Sequence, residues 1–159
     1  MGTLKEDIKT SAEWIIENFH RDGLILDYSL ESFKVIDSFF DRNAKDGLPV
    51  PGGRLSKNMG TVMFSIGSYI GETIIKIVPG SEWETDDEKN DEIGVEVKLP
   101  DGAKIWPMQR VMKRFKNGAE DGIYSYGMVV TAELIKRDYW KSAGEKHVVK
   151  NKRLWWKFW

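Results

Sequence analysis

The chain contains no cysteine and only two histidines among its 159 residues. Without cysteine there is no disulfide framework, no thiolate metal site and no cysteine nucleophile, which suits a reducing compartment such as the cytoplasm. Neither His20 nor His147 is followed three or four residues later by a histidine or carboxylate, so no zinc or other metal site is expected. G-x-S-x-G, G-x-G-x-x-G and the Gly-Lys-Ser/Thr of a Walker loop are all missing. A scattered Ser-His-Asp triad would leave no such motif. Catalytic residues and cofactors are therefore not assigned, and enzymatic readings rank below binding ones. The opening MGTLKEDIKT has no apolar core, so no secretory signal is expected, and it lacks the hydroxyl residue that myristoylation wants at position six.

Net charge is also scarce, at −1, but it is segregated. Residues 82–96 hold eight acids against Lys89, whereas residues 104–116 hold Lys104, Arg110, Lys113, Arg114 and Lys116 with no acid. From Lys136 to Trp159 there are eight bases and two acids. Solvated or mutually attracting faces account for this pattern, and nucleic acid is not an expected partner.

What the chain does have is a long, nearly uncharged stretch, Asn58 to Val78, broken only by Glu72 and Lys76. Val62, Ile66, Tyr69, Ile70, Thr73, Ile74 and Ile77 recur at helical spacing, and Met63, Phe64, Ile75 and Val78 make other faces apolar. A helix apolar nearly all round is a buried one. Its glycines, Gly60, Gly67 and Gly71, would let another element approach closely. Glu72, Lys76 and these glycines argue against a membrane span.

Around that helix the chain reads as one α+β domain, residues 1–140, with a basic, aromatic tail at 141–159. Five or so helices pack about a small antiparallel sheet containing a 92–106 hairpin. Thr3 and Glu6 form a capping box for a helix to Phe19, with Leu4, Ile8, Ala12, Ile15 and Phe19 as its buried stripe. Leu24–Tyr28 is a short strand or connector, and Ser29 caps a helix from Leu30 to Arg42. Residues 43–57 read as an irregular loop, because Pro49, Pro51 and the Gly52–Gly53 pair oppose regular structure. After Pro79 and Gly80 come Trp83 and a hydrated acidic turn. Ile93, Val95, Val97 and Leu99 then alternate as a strand with one buried face. Leu99-Pro-Asp-Gly102 is a turn, and Ala103 to Trp106 returns. Pro107 opens a helix with Met108, Val111, Met112 and Phe115 inside and Arg110, Lys113 and Arg114 outside. A last helix buries Ile123, Gly127, Val130 and Leu134.

Four side chains are candidate ligand contacts: Glu72, Arg54, Lys57 and Trp83. Arg54 and Lys57 flank a glycine-rich turn before a helix N-terminus, where free N–H groups and the dipole favour an anion. A carboxylate on so apolar a helix either shifts its pKa upward or is paired, and Lys76 lies four residues on.

Tyr69-Ile70-Gly71-Glu72, Gly80-Ser81-Glu82-Trp83, Leu99-Pro-Asp-Gly102, Pro107, Val111, Lys113-Arg114, Asn117-Gly118 and Asp121 together resemble a family of small uncharacterised bacterial proteins with a Y-x-G-E helix and a later tryptophan. The resemblance spans roughly residues 60–125. It implies an α+β fold, and it carries no assigned activity.

The tail KNKRLWWKFW stands apart. Trp155, Trp156, Phe158 and Trp159 each bury roughly 150–250 Å², together about 600–1,000 Å², more than the roughly 300–600 Å² of a usual largest surface patch. They fold back on the domain, enter a groove on a protein partner or second copy, or lie in an anionic membrane interface beside Lys150, Lys152, Arg153 and Lys157. Stacking with single-stranded nucleic acid is a lesser version of the same idea. The reading that results is a cytoplasmic, non-enzymatic protein-binding module of bacterial type, an adaptor or toxin-neutralising protein. The alternatives are a small-anion or enzyme site near Glu72 and the 52–57 loop, and peripheral membrane attachment through the tail.

Overall fold

The computed structural model describes residues 2–142 except Asn90, with side chains as far as Ala132. It is an α+β domain of five helices and two small antiparallel sheets. The central helix, α3 (Met59–Ile77), touches α1 (Leu4–Arg21), α4 (Pro107–Asn117) and α5 (Ile123–Ser142). Ile66, Tyr69, Ile70 and Ile74 on α3 are wholly buried, as the near-absence of charge requires. Each such side chain contributes about 1.5–3 kcal/mol before ordering entropy is deducted.

The capping box of α1 forms. Thr3 N–H donates to Glu6 Oε2 at 2.7 Å and Glu6 N–H to Thr3 Oγ1 at 3.3 Å. Leu4, Ile8, Ala12, Ile15 and Phe19 are its buried stripe, and α1 lies along α3. Gly23, at φ 77°, follows its last turn. The acidic segment is less idle than a hydrated turn, because Asp87 Oδ1 accepts the Leu4 N–H at 2.7 Å. It thereby satisfies one of the donors that a helix start leaves open.

Residues 24–28 form a connector rather than a strand, and α2 (Ser32–Asn43) begins two residues later than the spacing predicts. Ser29 Oγ accepts the Ser32 N–H at 3.2 Å. Phe33, Ile36, Phe39 and Phe40 of α2 are buried. The following loop corrects the expectation of irregularity. Ala44–Lys45 (β1) and Leu48–Pro49 (β2) pair antiparallel about Asp46-Gly47, both at positive φ, 54° and 74°. An Asp-Gly turn of this kind matches the twist of paired strands. Pro49 ends β2 itself, paired with Ala44, and Pro51 follows it. Asn43 then organises the rest of the loop. Its Nδ2 donates to Phe39 O at 2.8 Å, and its Oδ1 accepts the Arg54 N–H at 2.9 Å.

Two glycines of α3 act as expected. A Cβ on Gly67 would lie 3.1 Å from the Met108 Cα, so α4 crosses here backbone to side. A Cβ on Gly71 would overlap Cζ2 and Cη2 of Trp83, so the edge of the indole fills that space. Gly60 has nothing near it and plays no such part.

The second sheet has three strands in the order β3 (Glu82–Glu84), β4 (Glu96–Lys98), β5 (Lys104–Ile105), all antiparallel. β4 and β5 are the expected hairpin, while β3, which pairs Trp83 with Val97, was not foreseen. Val95, Val97, Leu99 and Ile105 are buried, but Ile93 is 52% exposed, because the strand begins only at Glu96.

Candidate functional site

The four sequence candidates do not meet in one place. Arg54 turns back to α1, donating to Asn18 Oδ1 at 3.0 Å and pairing with Asp22 at 2.7 Å. Lys57 is exposed. Glu72 lies thirteen residues into α3, about 20 Å along the axis from its start, so loop and carboxylate cannot share a small anion. Trp83 is buried on Gly71, about 100° round the helix from Glu72. That ring is a packing element.

Glu72 is half-buried beside Tyr28. No ion pair joins it to Lys76 among the described residues, since Lys76 Nζ lies over the Tyr28 ring, 4.7 Å from its centroid. Burial first, then the charges of Glu72 and Glu13, raise the Tyr28 phenol above its ordinary pKa. Tyr28 itself sits at φ 61°, its ring stacked on Tyr69 at 5.2 Å. The Tyr69 hydroxyl accepts the Tyr28 N–H at 2.8 Å and shares a 2.6 Å hydrogen bond with Ser32 Oγ. The motif tyrosine thus locks the α1–α2 connector onto α3.

Two arginines expected outside are inside. Arg114 is 3% exposed, with Nε 2.9 Å from Asp37 Oδ1 and Nη2 2.6 Å from Asp41 Oδ1. Arg110 is 7% exposed, pairs with Asp121 at 3.1 Å and lies 4.4 Å over the Tyr126 ring. Buried guanidinium groups need such partners, and both are committed to holding α4 against α2 and α5. Burial pushes the Tyr126 phenol far up.

The main concavity lies elsewhere, between the first half of α3 and the length of α4. It measures about 890 Å³. Met59, Gly60, Met63 and Phe64 supply one wall and Met108, Met112 and Phe115 the other, with Ile93 at one end. The helices touch at Gly67 and Met108 and stand apart at Gly60, which is why the gap opens. Met112 and Phe115, expected in the core, therefore line the groove, with Met112 46% exposed. Four of the chain's six methionines are here. Unbranched, polarisable thioethers adapt to varied apolar surfaces and recur where a protein binds several partners. Lys113 and Lys116 of α4 and Glu92 are the charged residues of its lining.

No family model, curated protein or solved structure matches the chain.

A smaller hollow of about 350 Å³ is lined by Glu84, Asp86, Asp91 and Glu96 with Lys89. Its carboxylates are partly spent. Lys104 bonds Glu84 at 3.1 Å and Glu96 at 2.9 Å, and hydrogen bonding to Lys104 first holds the Glu84 carboxyl below its usual range. Among the described residues no three histidine or carboxylate side chains are placed to hold a metal ion together. None of the described helices is long and apolar enough to cross a membrane. Trp155, Trp156, Phe158 and Trp159 lie outside the described residues.

Sequence reasoning missed the groove, although a signal was present. Met59 and Met63, like Met108 and Met112, are i, i+4 pairs, each on one helix face. Two such pairs on neighbouring helices make either a core seam or an adaptable wall, and only the divergence of the helices decides which.

Proposed function

We propose that the chain is a non-enzymatic protein-binding module of the cytoplasm, of the kind found among adaptors and toxin-neutralising proteins, and that it engages its partner through the methionine-lined groove between α3 and α4. The observation that supports this reading is the groove's chemistry. Its walls are mainly thioether, phenyl and aliphatic, and among the described residues its lining has no histidine, serine or paired carboxylates to do acid–base work. Such a surface suits an apolar helix face laid into it better than a reacting substrate. Arg54 and Glu72, the centre of the anion-site reading, serve other contacts or lie far apart.

The test uses the full chain carrying carbon-labelled methionine methyl groups, titrated with synthetic amphipathic helical peptides. Shifts confined to Met59, Met63, Met108 and Met112, with exposed Met128 unchanged, are the expected result. A set of peptides that moves none of the four would exclude the groove as the binding surface.

A further inference from the structure

We infer that the groove's partner is an acidic amphipathic helix, its apolar stripe on the methionines and a row of carboxylates along the α4 edge. This rests on the binding-module reading above and adds the partner's charge and shape.

The charge argument starts from how α4 spends its four bases. Arg110 and Arg114 are buried and neutralised by Asp121, Asp37 and Asp41. Lys113 and Lys116, which line the groove and outnumber its one acid, Glu92, make no ion pair among the described residues. They stand three residues apart, hence about 4.5 Å along the axis and on one face. Carboxylates spaced one helical turn apart on a second helix match that separation. Complementary charge at the rim of an apolar interface sets orientation and excludes partners of like sign.

The shape argument comes from the walls. Both are α-helices presenting side chains at i, i+4, the surface into which a third helix interdigitates. A helical partner offers anchors at i, i+3, i+4 and i+7. The same charge argument disfavours the chain's own tail as occupant. Over residues 141–159 it carries six bases against one acid, like in sign to Lys113 and Lys116.

Two synthetic helical peptides test the inference, identical in their Leu and Phe stripe, one with glutamate and one with lysine on the flanking rows. Affinities for the full chain are read by fluorescence anisotropy at low and high salt, beside the methionine methyl shifts. The acidic peptide is expected to bind at least about tenfold more tightly, an advantage that shrinks with salt. Lys113→Glu with Lys116→Glu is expected to reverse the preference with only a small drop in melting temperature, since Lys116 lies in the last turn of α4. Met112→Glu, on an exposed wall position, is expected to weaken both peptides. Equal binding of the two peptides, with the methyls still shifting, overturns the acidic partner and leaves the binding-module reading standing. Failure of both peptides to shift the methyls overturns the two together. Self-association of the chain that blocks either peptide replaces the acidic helix with a second copy.

Discussion

Arg114 Nε and Asp37 Oδ1 meet at 2.9 Å across 77 residues of sequence, and the same carboxylate accepts the N–H groups of Ile123 and Tyr124, each at 2.9 Å. One side chain therefore neutralises a buried guanidinium and closes the start of α5. That helix is entered through Gly122, which has no side chain to cap it.

Asp37→Ala should accordingly be the costlier change, by about 1–3 kcal/mol for each donor left without an acceptor, since Arg114 keeps Asp41 while the Ile123 and Tyr124 N–H groups lose their carboxylate. Asp41→Ala should cost less than about 1 kcal/mol, because the Asp41 side chain is 62% exposed and screened. Urea unfolding of both variants measures the difference. Equal losses would mean that Asp37 and Asp41 share the neutralising role.

Two glycine-to-alanine changes on α3 should move stability in opposite directions. Gly60 has nothing within 4 Å of an added Cβ, so Gly60→Ala should stabilise by up to about 0.5–1 kcal/mol. At Gly71 the added methyl would occupy the Trp83 ring, and Gly71→Ala should cost about 1–3 kcal/mol through overpacking. Thermal melts would show the signs directly. A Gly71→Ala protein as stable as the parent would mean that the indole moves aside freely.

Glu72→Gln should change stability by less than about 1 kcal/mol, since the carboxylate is half-buried and has no ion pair with Lys76. It should also let the Tyr28 phenol titrate at lower pH, because Glu72 is one of the charges raising it. Burial would keep part of the shift. A loss of several kcal/mol would make Glu72 a structural necessity.

Helices were legible in the sequence wherever one stripe faced one neighbour. Leu4, Ile8, Ala12, Ile15 and Phe19 needed only the i, i+4 rule, and Leu99-Pro-Asp-Gly102 needed only turn chemistry. Arg114 was not legible as a buried group, because its justification, Asp37, is on another helix 77 residues earlier. Met112 and Phe115 had core periodicity, yet α4 parts from α3 beyond Gly67, and no local pattern encodes that divergence. Trp83 was noticed as unusual and read as a contact residue. Its role depends on Gly71, a missing side chain twelve positions earlier. The Y-x-G-E segment and its later tryptophan thus have a packing explanation in Tyr69, Gly71 and Trp83.

Stability should fall steeply in alkali. Desolvation raises the phenols of Tyr69 and Tyr126 above the ordinary value. A raised acid holds its proton in the folded state after the unfolded chain has lost it. The stabilisation is then complete below about pH 10 and declines above it, by up to about 1.4 kcal/mol per pH unit for each phenol. Following the tyrosinate absorbance together with unfolding should show these two groups ionising only as the protein opens. Their titration at ordinary pH within a folded chain would contradict the burial argument.

The contact made by Asp37 also orders events in time. Its partners lie 77 to 87 residues away, so the first turn of α5 stays incomplete until a long loop has closed, at an entropic cost that grows with loop length. The pairing is therefore expected to form on the late side of the folding barrier. Asp37→Ala should therefore speed unfolding in proportion to its loss of stability and leave the refolding rate nearly unchanged, the behaviour of a low-φ position. Lifetime of the native state, more than speed of reaching it, is what this one carboxylate is expected to set.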